Sequence, residues 1–345
     1  MNLSIKKIFT KPAGKLYSQT EASETVSSWL QEHPHLQQSA VKLCGNSGVK
    51  SRSFISAPSE IITLNSVEER CAMFVENGKK LLQEAIAAVL DTSSESGRML
   101  DNLIFSSCTM PTIPAIDCEV IQTLGLKVRN RVPLFQYGCG GGAFGISLAN
   151  RLKGTRSVVA SVELCSLNFQ PSDLTGASLV GSAIFADGAG AVLLEPDTTG
   201  WVIVANQSVL LPEGTDMMGY DLKDTGNHLR LSKLLPGYLT RLLPGAIGDF
   251  LKEQELTLKD IAWWLVHPGG IKILKNLEEN FGITSEQMQF SYDVLQKYGN
   301  MSSATLLFVL NQFVDSKVYK AGDYALMLGI APGMMAELIL MQYRE

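Results

Sequence analysis

The stretch Tyr137-Gly-Cys-Gly-Gly-Gly-Ala143 returns in altered form as Tyr298-Gly-Asn-Met-Ser-Ser-Ala304. Each copy follows an Asp-led apolar segment at nearly the same distance: DNLIFSSC, which ends at Cys108, and DIAWWLVH, which ends at His267. Each copy also precedes an apolar helical pattern, AFGISLANRL in the first case and ATLLFVLNQFV in the second. Such self-similarity predicts a duplicated fold. If the halves pack about a pseudo-twofold axis, both turns and His267 meet at one site.

The rest of the chain alternates helical patterns with short apolar strands, which favours an α/β fold. The chain has 345 residues, of which 46% are hydrophobic and 18% charged, as in a compact globular protein. A helix is predicted from Val67 to Leu90. Further strands are predicted at RVPLFQYG, SVVASVEL, GAVLLE, WVIVAN, YALMLGI and AELILMQ. We place the boundary between the two halves so that they cover residues 1–197 and 198–345.

Composition and charge argue against several classes of protein. No apolar run approaches the roughly 18 residues that cross a bilayer. The basic start MNLSIKKIFTKPAGKLYSQT lacks the apolar segment of a secretory signal, so a cytoplasmic location is expected. Six cysteines without a C-x-x-C pair predict neither a metal site nor a disulfide framework. The net charge of −5, without a basic face, argues against a nucleic-acid partner.

Cys139 is the candidate nucleophile. A strand that runs directly into a buried helix needs a tight turn, and glycine permits both its dihedral angles and its close approach. A cysteine at a helix start is near free N–H groups and the positive end of the helix dipole, which stabilise a thiolate. We expect Gly140 to Gly142 to leave room for an acyl chain and to supply oxyanion donors. The alternative is a buried cysteine beside an ordinary glycine turn.

His267 and Asn300 are the other candidate catalytic residues. His267 ends an apolar strand and precedes Pro-Gly-Gly, a position where sheets present residues to a site, although many such histidines are structural. Asn300 alone would be a turn or cap residue. Its match to the position of Cys139 in the other half is what suggests a catalytic role.

Together these motifs resemble the type III polyketide synthases, the chalcone and stilbene synthase family, which is built on a duplicated thiolase-like fold. The resemblance covers HPGG around His267, YGNMSSA around Asn300, Gly138-Cys139, SSCT from Ser106, VELCSLNFQPSD and the final GIAPG. The first 45 residues match poorly. The resemblance implies a five-layer αβαβα architecture made of two related α/β halves.

The resemblance also implies a mechanism without a metal or prosthetic cofactor. Cys139 would take an acyl group from acyl-CoA, with His267 maintaining the thiolate. His267 and Asn300 would hold the thioester carbonyl of malonyl-CoA during decarboxylation. Repeated condensation and cyclisation would then give a pyrone or phenolic ring.

Further positions are implied to shape the tunnel and the cavity. Phe185 resembles one gatekeeping phenylalanine, and Leu229 stands where a second would be expected. The remaining residues implied to bind substrate are Cys108, Thr109, Cys165, Asn168, Gly269, Gly270, Pro332 and Gly333. A cysteine at position 165 resembles bacterial members that make alkylpyrones or alkylresorcinols from fatty starters. Ile330 and Ala331 depart from the commoner aromatic-glycine pair of the GIAPG loop.

Coenzyme A carries phosphates, so basic residues are expected at the tunnel mouth. Candidates are Lys42, Lys50, Arg52 and Lys272. Because this cluster is sparse, an acyl carrier protein is an alternative acyl donor. The family also implies a homodimer, in which Ile113 reaches toward the partner's cavity.

Two other functions are compatible with the same motifs. A ketoacyl-carrier-protein synthase III shares the fold and the Cys-His-Asn set but performs a single condensation, whereas HPGG and GNMSSA favour the iterative enzyme. A non-catalytic partner protein with the same fold would not need all three chemical positions.

Overall fold

The molecule is built around a nine-stranded sheet, and its helices pack on the faces of that sheet. The structure is a computed structural model that describes residues 2–152 and 156–345. The strands of the described residues are β1 (Leu3–Pro12), β2 (Lys15–Ser18), β3 (Ser51–Phe54), β4 (Met99–Ser106), β5 (Lys127–Leu134), β6 (Ser157–Leu164), β7 (Asp187–Pro196), β8 (Gly200–Leu210), β9 (Met218–Lys223), β10 (Gly226–Leu231), β11 (Ile261–Val266), β12 (Tyr324–Ala331) and β13 (Met335–Arg344).

The large sheet consists of two half-sheets with matching pairing patterns. Its strand order is β11-β12-β13-β8-β1-β7-β6-β4-β5. In one half β4 pairs parallel to β6, and β6, β7 and β1 then pair antiparallel. In the other half β11 pairs parallel to β12, and β12, β13 and β8 then pair antiparallel. The half-sheets join at β1 and β8 through one residue pair, Ser4 and Val202.

Helices cover the faces of both half-sheets. Those of the described residues are α1 (Gln19–Trp29), α2 (Pro34–Asn46), α3 (Pro58–Ile61), α4 (Val67–Val89), α5 (Asp117–Thr123), α6 (Gly141–Arg151), α7 (Gly176–Ile184), α8 (Leu235–Glu253), α9 (Ile271–Phe281), α10 (Gln289–Tyr298) and α11 (Thr305–Ser316). A side-chain cap marks the start of the long helix α4, where the Ser66 side chain accepts the Glu69 N–H.

Packing arranges these elements in five layers. Helices α6 and α11 lie between the half-sheets, and their apolar residues, such as Ile146 and Phe308, belong to one central core. A second core joins α4 and α5 to the outer face of the first half-sheet. A third core joins α8 and α9 to the outer face of the second half-sheet. The αβαβα architecture expected from the sequence is confirmed.

The two halves differ in the element that precedes each turn. In the first half β5 leads to the cysteine turn, as predicted, but in the second half helix α10 leads to the asparagine turn. The segment that corresponds to β5 makes only an isolated backbone bond to β11, from the Trp264 N–H to the Gln287 carbonyl at 2.9 Å. The predicted duplication therefore holds for β4 and β11 and for α6 and α11. It does not hold for the edge strand β5, which has no counterpart beside β11 among the strands that the structure describes.

Candidate active site

The turn that carries Cys139 requires glycine before the cysteine. A 3₁₀ turn over Gly138–Gly140 connects β5 to α6. Gly138 has a φ of +57°, and a Cβ atom there would lie 2.7 Å from the Pro332 side chain. Any other residue would therefore meet both backbone strain and a collision. The turn packs on the end of β12, which leads into Pro332.

The following glycines serve close packing and do not leave room for an acyl chain. A Cβ atom on Gly141 would lie 2.0 Å from the Ser106 hydroxyl oxygen, and one on Gly142 would lie 2.3 Å from the Ser303 carbonyl oxygen. Protein atoms from both halves thus occupy the space that we expected substrate to use. Small residues here let α6 start directly against the ends of β4 and the asparagine turn.

His267 reaches the same end of the sheet through β12. Its N–H donates to the Leu328 carbonyl at 2.9 Å, which continues the parallel pairing of β11 with β12. Since the end of β12 also contacts the cysteine turn, both residues lie around one strand end. The imidazole is only 3% exposed, and its Nδ1 atom has no hydrogen-bond partner among the described residues. A buried ring nitrogen without a protein partner is suited to a bound group.

Asn300 is held by both its backbone and its side chain. Its N–H donates to the Ile184 carbonyl at 2.8 Å, and its own carbonyl accepts from Ala186 at 2.9 Å. The amide Oδ1 accepts from the Ser302 N–H at 2.8 Å and from the Thr305 hydroxyl at 3.3 Å. These two donors determine the orientation of the amide.

Ser302, which is not among the residues predicted from the sequence, joins the two turns. Its hydroxyl donates to Cys139 Sγ at 3.4 Å and lies 3.2 Å from Cys108 Sγ. Its φ of +47° is unusual for a residue with a side chain, and such strain concentrates at functional sites. Its position within YGNMSSA, opposite the glycines of the other copy, was the available signal.

Glu163 is a second residue that sequence reasoning missed. It is fully buried in β6 and accepts hydrogen bonds from the Thr109 hydroxyl at 2.7 Å, the Cys108 N–H at 3.1 Å and the Ser303 hydroxyl. Burial raises the pKa of this carboxyl, whereas the hydrogen bonds lower it. An acidic residue inside the otherwise uncharged strand SVVASVEL was the sequence signal.

Burial favours the neutral forms of both the thiol and the imidazole. It raises the pKa of Cys139 to about 11, although the bond from Ser302 opposes this shift. It lowers the pKa of His267 to about 4. The helix start alone therefore does not give the thiolate that we expected, because desolvation outweighs it. The proton of Cys139 needs an acceptor inside the site.

A cavity of about 90 Å³ adjoins this site. Four of the predicted substrate-binding residues line it: Phe185, Leu229, Cys165 and Asn168. The wall is connected to the candidate catalytic residues, since Phe185 forms a parallel bridge with Asn300.

Cys108 and Thr109 lie outside the cavity wall. The Thr109 side chain is fully buried, and its hydroxyl donates to Glu163 and accepts the Leu164 N–H at 3.0 Å. Its position is therefore that of a support beneath the site. Cys108 is half-buried beside Ser302.

Arg52 corrects one expectation about coenzyme A. It is 2% exposed, and its guanidinium donates to the carbonyls of Ser182 at 2.8 Å and Phe185 at 2.9 Å and to Gln19 Oε1 at 3.0 Å. Gln19 in turn donates to the Ala183 carbonyl at 2.8 Å. This pair, which we call the α7 clamp, satisfies carbonyls at the end of α7 and holds the guanidinium inside the protein instead of at the surface.

The other predicted positions lie at the surface or at turns. Gly48 would place a Cβ atom 3.1 Å from Ile271, so the loop before Lys50 lies against the start of α9. The predicted lysines are all exposed: Lys42, Lys50 and Lys272. Gly269 and Gly270 precede α9, and Pro332 and Gly333 form the turn after β12. Ile113 is fully exposed.

The described residues contain neither a metal-ligating cluster nor a membrane-spanning helix. Within residues 2–152 and 156–345, no three His, Cys, Asp or Glu side chains are grouped to ligate a metal ion. No helix in the described part of the chain combines the length and apolar character needed to span a bilayer.

A duplicated five-layer fold with a cysteine turn facing an asparagine turn defines the thiolase-like class. The family model for the N-terminal domain of chalcone and stilbene synthases matches residues 11–198, and the model for their C-terminal domain matches residues 202–343. The chain therefore belongs to the chalcone and stilbene synthase family and is a type III polyketide synthase, an acyltransferase that forms carbon–carbon bonds by decarboxylative condensation.

Individual relatives agree with this family. A 1,3,6,8-tetrahydroxynaphthalene synthase from Streptomyces coelicolor is 30% identical over 90% of this chain and 84% of its own length. A putative chalcone synthase from Bacillus subtilis is 29% identical over 87% of each chain. The crystal structure of the Streptomyces coelicolor synthase matches with a TM-score of 0.91 at 26% identity, covering both chains completely. The type III domain of Steely1 from Dictyostelium, at 24% identity and a TM-score of 0.92, shows the shared fold.

Proposed function

We propose that Cys139, His267 and Asn300 form the catalytic centre of this synthase, and that residues 1–197 and 198–345 divide the chemistry between them. The first half supplies the nucleophile, and the second supplies the base and the oxyanion donors. The observation that carries this proposal is the contact of Ser302, which bonds to Cys139 Sγ and to Asn300 Oδ1.

In the loading step, Cys139 attacks the carbonyl carbon of an acyl-CoA thioester. The proton of the thiol passes to His267, whose buried ring is neutral and whose Nδ1 atom has no hydrogen-bond partner among the described residues. The bond between the carbonyl carbon and the coenzyme A sulfur breaks, and the departing thiolate takes the proton from His267. The product is an acyl thioester on Cys139.

In the extension step, malonyl-CoA loses carbon dioxide. The electron pair of the broken carbon–carbon bond moves into an enolate, whose charge develops on the thioester oxygen. His267 and the Asn300 amide donate to that oxygen, and one preorganised donor is worth about 3 kcal/mol. The enolate carbon attacks the acyl-cysteine carbonyl, the bond to Cys139 breaks, and the chain leaves two carbons longer on coenzyme A. Repetition and ring closure give a pyrone or phenolic product.

Lys42, Lys50 and Lys272 are the proposed contacts for coenzyme A phosphates. They are exposed, and the loop before Lys50 lies against the helix that carries Lys272. Gly269 and Gly270, with Pro332 and Gly333, border the path between this surface and Cys139. Acyl-CoA and malonyl-CoA are the substrates without any further cofactor, and an acyl carrier protein is the alternative donor.

We also propose a homodimer in which Ile113 contacts the partner, because this isoleucine is fully exposed on its loop. A cytoplasmic location is proposed as well, and the six free thiols support it.

The first experiment is mass spectrometry of the products formed from malonyl-CoA and a ladder of acyl-CoA starters. Pyrones or resorcinols that disappear in Cys139→Ala, but persist in Cys118→Ser on α5, would support the iterative synthase. A single ketoacyl product, or activity only with acyl carrier protein, would indicate a one-step ketosynthase. Product formation that survives Cys139→Ala would refute the nucleophile.

A further inference from the structure

Glu337 is a buried carboxylate that no step of the proposed chemistry uses. It lies in the apolar stretch AELILMQ of β13 and has no exposed surface. Its Oε1 atom accepts a hydrogen bond from the Tyr137 hydroxyl, and its Oε2 atom accepts one from the Ser208 hydroxyl at 2.7 Å. Because a carboxylate loses its water on burial, it stays in a core only where such donors replace that water. The two hydroxyls supply this replacement.

The position of Glu337 in its half-sheet is related to that of Glu163 in the other. Glu337 of β13 pairs with Gly329 of β12, whereas Gly188 of β7 pairs with Glu163 of β6. The registers of β6 with β4 and of β12 with β11 put both pairs just beyond the ends of β4 and β11. Since β6 corresponds to β12 and β7 to β13, the glutamate and the glycine have exchanged strands between the halves. Each half-sheet thus carries one buried carboxylate at the same level.

The two carboxylates bond to the turns of opposite halves. Glu163, from the first half-sheet, accepts from the Ser303 hydroxyl in the asparagine turn of the second half. Glu337, from the second half-sheet, accepts from Tyr137 at the start of the cysteine turn of the first half. Each turn is therefore bonded to a buried carboxylate of the other half, although the glutamate has changed strand.

The ring of Tyr137 connects this bond to the nucleophile. It stacks on Phe144 of α6, with 4.1 Å between the ring centroids and an interplanar angle of 12°. Gly140 lies beside the ring, since a Cβ atom there would be 3.5 Å from it. Because Cys139 lies between Tyr137 and Gly140 in the chain, the ring restricts the backbone on both sides of the nucleophile. The sulfur itself remains free to change its partners.

The same carboxylate is linked to the other end of α6. Arg151, the last residue of this helix, donates to the Ser208 hydroxyl at 3.1 Å, and that hydroxyl donates to Glu337. The start of α6 lies against the same strand pair, because a Cβ atom on Gly329 would be 2.9 Å from Ala143 and 3.2 Å from Glu337. One buried acceptor is therefore connected to both ends of the helix that follows the cysteine turn.

We propose that Glu337 is a positioning residue for the nucleophile, which holds the Tyr137 hydroxyl and so keeps Cys139 oriented for attack on the acyl-CoA carbonyl. This inference rests on the proposed function of Cys139. The rate of such an attack depends steeply on orientation, since a displacement of about 1 Å can cost about 10²-fold. Loss of the bond should therefore slow acyl transfer without weakening the binding of acyl-CoA.

Tyr137→Phe tests the bond, because it removes the hydroxyl and leaves the ring on Phe144. We expect the maximal rate of acyl transfer to Cys139, followed by intact-protein mass spectrometry, to fall about tenfold. The acyl-CoA concentration at half-maximal rate and the rate of malonyl-CoA decarboxylation should both stay within about twofold of wild type. Tyr319→Phe is the matched control, since it removes a hydroxyl that donates to the Val314 carbonyl at 3.0 Å, outside both turns. It should leave both reactions unchanged.

Two substitutions of Glu337 separate orientation from stability. Glu337→Gln keeps an oxygen that can accept from Tyr137 and should retain most of the acyl transfer. Glu337→Leu cannot accept and should slow acyl transfer as much as Tyr137→Phe does. Combining Glu337→Leu with Tyr137→Phe should slow it no further, because the two single variants remove the same bond. Denaturant unfolding of each variant measures stability separately from these rates.

The outcomes distinguish this inference from the function on which it rests. Wild-type acyl transfer that Tyr137→Phe leaves unchanged overturns the positioning role of Glu337 and leaves the synthase intact. Equal losses of acyl transfer and decarboxylation also overturn it, because the bond would then support the fold as a whole. Absence of acyl transfer to Cys139 in the wild type overturns the proposed function, and this inference with it.

Discussion

The cysteine turn and the asparagine turn share a glycine but hold their functional residues differently. Gly138 and Gly299 both have positive φ, +57° and +74°, and a Cβ atom on either would meet a neighbour at 2.7 Å. Beyond that glycine the turns diverge. The Cys139 sulfur receives one long bond from Ser302, whereas Asn300 is fixed by two backbone and two side-chain bonds.

This difference matches the chemistry proposed for each half. A nucleophile must change its bonding partners during the reaction, so a sulfur with a single long contact is suitable. An oxyanion donor is effective when it is already oriented, so a rigid amide is suitable. The two copies of the turn thus share a glycine with positive φ. The residue after that glycine, Cys139 in one copy and Asn300 in the other, is loosely bonded in the first and firmly bonded in the second.

Asn300→Ala should give the largest separation between the halves. We expect malonyl-CoA decarboxylation to fall by about 10²–10³-fold, because an oriented donor is lost from the developing oxyanion. Acyl transfer to Cys139, followed by intact-protein mass spectrometry, should remain within a few-fold of wild type. Equal losses in both assays would contradict the division of labour.

His267→Ala tests the acceptor of the thiol proton. Alkylation of Cys139 by iodoacetamide at about pH 7 should slow by about 10²-fold, because no base remains in the buried site. Burial, the largest of the effects on Cys139, raises the pKa of its thiol to about 11, so without a base the rate should rise about tenfold per pH unit between about pH 7 and about pH 10. A rate in this variant that levels off near neutrality would disprove the assignment.

Gly299→Ala tests the shared backbone geometry. The substitution combines a positive φ with a collision against the Ile184 carbonyl oxygen and should lower the free energy of unfolding by about 3 kcal/mol. Gly282→Ala is the matched control, since its φ is +64° but nothing lies within 4 Å of the added Cβ, and it should lose about 1 kcal/mol. Denaturant unfolding measures both, and similar losses would show that the contact does not matter.

Gln19→Leu tests the α7 clamp, which is linked to the asparagine turn through the Phe185 bridge with Asn300. The variant loses bonds with Ala183 and Arg52, and with the Cys44 carbonyl and the Ser47 hydroxyl at the end of α2, and should be destabilised by about 1 kcal/mol. Because α7 leads into the Phe185 bridge with Asn300, decarboxylation should fall more than acyl loading. Gln38→Leu, exposed on α2, should change neither quantity. If acyl loading fell more than decarboxylation, the clamp would not act through Asn300, and this prediction would be wrong.

The sequence alone predicted the duplication, the place of Cys139 in the turn before a helix, the strand-ending position of His267, and the match of Asn300 to Cys139. These predictions depend on short sequence motifs that occur in both halves of the chain. It did not predict Ser302 or Glu163, because their roles arise from contacts with residues more than 50 positions away. It misplaced Arg52 because a charged residue is ordinarily assigned to the surface, whereas carbonyls at the end of α7 satisfy this one inside the protein. The close packing of Gly140 and Gly142 could not be predicted either, because the atoms that they approach, in Ala331 and Ser303, belong to the second half of the chain.

The place of β1 in the sheet has a consequence for biosynthesis. β1 covers Leu3–Pro12 yet pairs along its length with β7, whose last residue is Pro196, and touches β8 beyond it. At about 5–20 residues per second, a ribosome needs about 10–40 s between making these partners. A strand made early in synthesis therefore stays unpaired until β7 has been made, and its unpaired backbone groups are covered in that interval by chaperones or by transient contacts within the nascent chain.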